Sequence, residues 1–227
     1  MRGSGKFVRP VLRFVASVLI TSGILMLVDA ALTVTWQEPV SAYFAQQDQN
    51  GLKSELKKDA PRVALDVQQL RSIGNPLVRL QRLAERSRKR AKTGHAIGII
   101  RIPKIGARYA VVQGTDTDSL RKGPGHYPET NFPGEGGTVA IAGHRTTYLA
   151  PFNQVDKLKP GDEIDLEMPY GKFTYGVEKT QIVDPTDTGV IRRVPGAERL
   201  VLSACHPLYS ASQRIIIFAR LKSAAEA

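Results

Sequence analysis

The sequence predicts a mainly β domain, a closed or nearly closed barrel, behind an N-terminal transmembrane helix and a partly helical stalk. Three observations predict this order. A long apolar run follows four basic residues at the N-terminus. A segment rich in Gln, Lys, Arg and Leu comes next, with apolar residues at helical spacing. From residue 95 onward, short β-rich stretches alternate with Gly- and Pro-containing turns.

The first element is the membrane helix. Arg2, Lys6, Arg9 and Arg13 precede FVASVLITSGILMLVDAALTVTW, Phe14 to Trp36. At about 1.5 Å per residue this run spans a hydrocarbon core of roughly 30 Å. Trp36 sits where an interfacial aromatic belongs, and the basic flank predicts a cytoplasmic tail over residues 1–13. Everything after Trp36 is then extracytoplasmic. Asp29 interrupts the run, so the core before Val28-Asp29-Ala30 also fits a cleaved signal segment. Either way the rest of the chain lies outside the cytoplasm.

The second element, residues 37–94, reads as a solvated helical stalk or linker. Leu70, Ile73, Leu77, Leu80 and Ala84 follow helical spacing, and Pro61 and Gly74-Asn75-Pro76 are expected to break or kink the helix. A helix docked on the following domain or on the membrane surface is the sharper alternative. ERSRKRAKTG, Glu85 to Gly94, reads as a flexible basic boundary.

The third element is the barrel, residues 95–222, with 223–227 as a tail. AIGIIRIPKI (Ala96 to Ile105) and RYAVVQG are strand-like. GEGGTVAIAGH (Gly134 to His144) is a glycine turn followed by an apolar strand. Asp162 to Asp184 reads as two strands around Pro169-Tyr170-Gly171, and ERLVLSAC and RIIIFARLK as the last pair. Many short strands with few helices favour closure into a barrel.

Net charge is +11, but it is unevenly placed. Residues 1–36 carry four basic side chains against one acidic, residues 37–94 twelve against six, and residues 95–227 sixteen against fourteen. The barrel therefore lacks the basic face that a nucleic-acid-binding domain needs. The single cysteine excludes an intrachain disulfide framework and Cys-rich zinc sites.

That cysteine, Cys205, ends one predicted strand, and Arg214 begins the next. An antiparallel pairing brings them face to face across the hairpin mouth. A guanidinium there favours a thiolate or holds a developing oxyanion. His144 follows the strand Thr138–Ala142, at a strand end from which it can project into a cleft as proton donor. Each residue alone has an ordinary reading: a small buried hydrophobe, a turn histidine, a solvated charge. His206, next to the cysteine, points to the opposite face of the strand. A zinc site from Cys205, His206 and His144 lacks a fourth ligand.

Four segments resemble the sortases, membrane-anchored cysteine transpeptidases of Gram-positive bacteria. They are GIIRIPKIG, GTDTDSLRKGPGHYP, GHRTTYLAPF followed by KLKPGDEI, and LVLSACHP followed by RIIIFARL, in order over Ala96 to Leu221. The resemblance implies an eight-stranded barrel with Cys205 as nucleophile, His144 as general acid and base, and Arg214 as substrate and oxyanion holder. It implies substrate contacts from Tyr148, Ala204 and His126, although His126 also fits a histidine packed against the core. It implies cleavage of an LPxTG-like signal between Thr and Gly, and transfer of the secreted protein to an amine on a peptidoglycan precursor. No cofactor or metal is expected. GHRTTY and CHP are most similar to the class E enzymes of actinobacteria, associated with LAxTG-type signals.

Two departures stand out. The family's TLxTC reads Val201-Leu202-Ser203-Ala204-Cys205, without either threonine, and the position after Tyr148, often Gly, is Leu149. Residues 85–95 hold no aromatic of the kind a pilin-type lid carries. Asp118, Glu129 and Glu135 are candidate calcium carboxylates, although scattered acids are usually solvated. Two other functions remain open from the sequence: a silent barrel that binds a wall peptide, and a hydrolytic cysteine protease of the same fold.

Overall fold

A computed structural model describes residues 5–35, 39–194 and 196–227. Trp36, the expected interfacial aromatic, lies outside the described residues. The chain divides into two compact units, Met1–Val40 and Ser41–Ala227. The first is built on α1 (Gly5–Thr35), whose stretch Arg9–Ala31 is long and apolar enough to cross a membrane.

The stalk segment forms α2 (Pro39–Gln69) and α3 (Pro76–Arg90). α2 runs through Pro61 without a break. A proline removes one main-chain hydrogen bond of a helix; here buried Leu52 before it and Leu70 after it anchor the two halves. The expected break falls instead at Gly74-Asn75-Pro76. Asn75 caps α3, its side chain accepting from the N–H groups of Leu77 and Val78, and Pro76 occupies the first turn.

These helices are packed on the barrel rather than standing off as a spacer. Gln49 Nε2 donates to the carbonyls of Ala110 and Lys122, and Gln49 Oε1 accepts from the Ala110 N–H. Leu52 packs on Ala110 and Val112. Leu80, Leu83 and Ala84 of α3 enter the main core. Arg79 pairs with Glu226, and Arg88 with Glu135. Asp66 joins α2 to α3 through Arg86 and Arg90, and these neighbours hold its carboxyl below the usual range against the opposing effect of burial. Of the basic run 85–94, expected as a flexible boundary, residues 85–90 form the last turns of α3, and 91–94 lead into β1.

The barrel strands are β1 (Ala96–Ile102), β2 (Ala107–Gln113), β3 (Gly125–His126), β4 (Thr138–Ala142), β5 (Glu163–Met168), β6 (Gly171–Val183), β7 (Arg199–His206) and β8 (Gln213–Glu226). A short α4 (Thr117–Lys122) links β2 to β3. The order around the closed barrel is β1-β2-β3-β4-β7-β8-β6-β5. β2–β3 and β4–β7 are parallel, and the remaining pairs are antiparallel. Residues 223–226, expected as a tail, extend β8 and pair with β6 as far as Gly171↔Glu226. β3 crosses so close to Gly114 that a Cβ on Gly125 would lie 2.2 Å from the Gly114 oxygen.

Alternation along the strands makes two faces. Leu200, Leu202 and Ala204 of β7, with Ile215, Ile217 and Ala219 of β8, point into the barrel core. Val201, Ile216 and Phe218 point outward, into a smaller cluster with Ala140 and Val183. Inside, Tyr170 and Tyr175 are fully buried, each worth about 1.5–3 kcal/mol if its ring behaves like a Phe. Their hydroxyls donate to Pro133 O and Glu198 Oε1. Glu198 also accepts from the N–H groups of Gly134 and Gly136, and burial raises its pKa despite these bonds.

Candidate active site

Cys205 and Arg214 are direct register partners in the antiparallel β7–β8 pair. Directly opposed residues share a face. For this pair it is the outer face, because Val201 and Ile216, in phase with them, lie in the outer cluster. Arg214 Nη1 donates to the carbonyls of Ala211 and Gln213, which anchors the guanidinium at the hairpin mouth.

β4 runs parallel to β7, with Ala142 beside Ser203. Gly143 N–H still donates to Ser203 O; His144 follows just past the end of β4, and Cys205 lies two residues past Ser203 on β7. β4 stops because the chain turns at Gly143. A Cβ there would lie 2.5 Å from the Phe152 ring, which packs under the turn, and Phe152 N–H donates to the carbonyl of His144. Burial alone holds the His144 imidazole below its ordinary pKa.

Beyond His144 three consecutive non-glycine residues adopt left-handed backbone: Tyr148 (φ 51°), Leu149 (φ 65°) and Ala150 (φ 42°). Such residues store strain that the surroundings must impose. Here Tyr109 donates from its hydroxyl to Leu149 O, and Ala150 N–H to Thr147 O. The turn lays the Tyr148 ring beside His144, centroids 5.1 Å apart. Tyr127, and Val190 and Ile191 of the β6–β7 connection, pack on the outer cluster.

The structure brings together Cys205 and Arg214 as strand partners, and His144 with Tyr148. It does not bring Ala204 to them. Ala204 is 4% exposed and belongs to the interior core, because alternation turns it away from Cys205. His126 is not brought to them either. It is 1% exposed, its Nδ1 meets Gln113 Oε1, its Nε2 meets Asn131 O and Thr130 Oγ1, and its ring lies edge-on to Phe132. Burial pushes its pKa down to about 4. Of the calcium candidates, Asp118 pairs with Arg121 and Glu135 with Arg88. Among the described residues no group of three or more His, Cys, Asp and Glu is arranged to hold a metal. The sequence reading passes over Arg145, which lies buried against the carbonyl of Cys205; its place directly after His144 was the only sign.

The described strands thus form a closed eight-stranded barrel with a cysteine and an arginine paired at adjoining strand ends, and a histidine just past the end of a third strand. The Sortase domain model matches residues 100–222, and the chain belongs to the sortase family. It is 42% identical to Sortase D of Bacillus subtilis over 132 residues, 57% of this chain and 65% of that one. It is 26% identical to Sortase SrtE1 of Streptomyces coelicolor over 224 residues, 92% of this chain and 56% of that one. The chain thus spans less than two thirds of the length of both relatives. The structure of sortase E from Streptomyces avermitilis superposes with a TM-score of 0.55 at 36% identity, covering 60% of this chain and 93% of that one.

Proposed function

We propose that the protein is a membrane-anchored cysteine transpeptidase that cleaves a sorting signal of the LAxTG or LPxTG kind between Thr and Gly. The reading rests on the register pair Cys205–Arg214, with His144 just past the end of β4, the strand that pairs with β7. His144 takes the Cys205 thiol proton, the thiolate attacks the Thr carbonyl carbon, and Arg214 is the donor beside the oxygen that gains charge. The C–N bond to Gly breaks as His144 gives a proton to the departing amine. An amine, on a peptidoglycan precursor, then attacks the thioester. His144 takes its proton, the C–S bond breaks, and the protein is joined to the wall.

His144, its pKa lowered by burial, is mostly neutral near pH 7, so the protonated acid is the minor form. That matches a base ready for the Cys205 thiol and for the incoming amine. The helix α1, with its basic leading end, supports a cytoplasmic N-terminus and an extracytoplasmic barrel. Tyr148 beside His144 supports a role at the signal's second position, where LAxTG and LPxTG differ.

Intact-mass spectrometry of the full chain in detergent tests this reading. It is incubated with LAxTG and LPxTG peptides, with and without an amine, alongside Cys205→Ala. The expected result is an acyl adduct on wild type alone that passes to the amine, with the LAxTG peptide faster. Hydrolysed peptide with no amine product makes it a protease. No adduct from either peptide removes the reading.

A further inference from the structure

We propose that Arg145 is a positioning residue for Cys205, holding the nucleophile's strand end and the His144 loop in one register. The inference rests on the reading of Cys205 as nucleophile and His144 as its acid–base partner.

The argument starts from the β4–β7 ladder. In a parallel pair the rungs come at every second residue. Gly143 N–H donates to Ser203 O at 3.0 Å. The next rung on that side of β7 would join the Arg145 main-chain N–H to Cys205 O. The chain leaves the sheet after Gly143, so the main-chain donor of Arg145 is not on the ladder. The side chain of the same residue stands in its place. Arg145 Nη1 lies 3.4 Å from Cys205 O and 3.4 Å from His206 Nδ1. At that length the contact to Cys205 acts chiefly as an ion–dipole attraction.

The other end of the guanidinium holds the loop. Nε and Nη2 donate to Asn153 O at 3.3 and 3.2 Å, and Nη2 donates to Asp156 Oδ1 at 2.8 Å. Asn153 Nδ2 returns a bond to Arg145 O at 2.7 Å. One planar cation thus bridges the β7 end, the His144 turn and the segment 153–156. Its side chain is 3% exposed. Burying a guanidinium is weak evidence for a stabilising role, since desolvation offsets much of the attraction. A solvated cation would have served Asp156, whose side chain is half exposed. What burial adds is a fixed distance between the two strand ends that carry the reacting groups. A small misplacement of such groups costs roughly 100-fold in rate.

The test uses the full chain in detergent and the variants Arg145→Met and Arg145→Lys, with His144→Ala as reference. Three quantities are read: kcat and KM for peptide transfer, the pH profile of Cys205 alkylation by iodoacetamide, and the melting temperature. Lys keeps a charge beside Asp156 but lacks the planar fork, and it decides the outcome if the Met variant does not fold. The expected result is a kcat about 10- to 100-fold lower with KM within about twofold, and an alkylation profile displaced toward that of His144→Ala. Variants that melt lower but keep wild-type kcat and alkylation profile overturn the proposal. If wild type transfers no peptide, the function reading falls; a displaced alkylation profile in the Arg145 variants then still upholds the positioning role, and an unmoved profile overturns it.

Discussion

The ring of Tyr148 lies 5.1 Å from that of His144, tilted at 45°, at the end of a left-handed turn. The contact helps exclude water from the imidazole, and burial disfavours the imidazolium. His144 in wild type is therefore expected to titrate below 6.5. Tyr148→Ala exposes the ring and moves its pKa back up toward 6.5, whereas Tyr148→Phe leaves it near the wild-type value. Histidine NMR titration of the Cys205→Ala protein, with and without each change, reads this directly. An unmoved His144 pKa in Tyr148→Ala would assign the desolvation to other residues packed around the ring.

Leu149, in the middle of the same turn, has φ 65°. Left-handed backbone costs an L-residue roughly 1–2 kcal/mol, which glycine avoids. Glycine also loses more freedom on folding, which returns part of that gain. Leu149→Gly is expected to stabilise the protein by about 0.5 kcal/mol, and Leu149→Val, branched at Cβ, to destabilise it by about 1 kcal/mol or more. Denaturant midpoints of the two variants check the sign. Equal midpoints would show that the half-buried Leu149 side chain contributes as much as the backbone strain removes.

His126 carries an acid-stability prediction. Its folded pKa is about 4, against an ordinary value of 6.5 in the unfolded chain. The unfolded state therefore binds more protons between these values. The stability this histidine contributes is fully present above pH 6.5 and is lost as pH falls toward 4. The shift corresponds to about 3 kcal/mol over that window. Unfolding of wild type and of His126→Gln at pH 7.5 and pH 4.5 isolates it. The variant is expected to lose about 3 kcal/mol less on acidification, and parallel losses in both would assign the acid sensitivity to other groups.

What the sequence made legible follows from period and from rarity. Cys205 and Arg214 could be placed opposite each other because both strands are short, strongly apolar and joined by one loop. His144 was legible because it ends an apolar strand. Ala204 is next to Cys205 in the motif, but strand alternation turns its side chain into the core. The helices were read as a stalk because their contact face is not apolar throughout: α2 meets the barrel with Ala45, Gln49 and Leu52, one polar residue in three. Leu77, placed on the apolar stripe by spacing, is 69% exposed although Leu80 and Ala84 of the same helix are buried, because it lies in the first turn of α3. Arg145 was legible only through its place directly after His144. A buried arginine whose partners are two main-chain carbonyls and a distant aspartate leaves no pattern along the chain.

Gln49 separates a docked helix from a spacer by experiment. Its amide makes three bonds, to both main-chain groups of Ala110 and to Lys122 O, along the stretch of β2 that β3 is too short to cover. Gln49→Leu keeps a side chain of similar length and removes all three, leaving buried main-chain groups unpaired at about 1–3 kcal/mol each before relaxation. A net loss of about 2–4 kcal/mol is expected, read from the urea midpoint. Trypsin should then cut sooner at Lys53, Lys57 and Lys58, because α2 opens more often. For a solvated spacer the same change would move neither the midpoint nor the cutting rate. If both move, the helices belong to the folding unit of the barrel, and truncations that begin inside α2 remove part of what holds β2 in place.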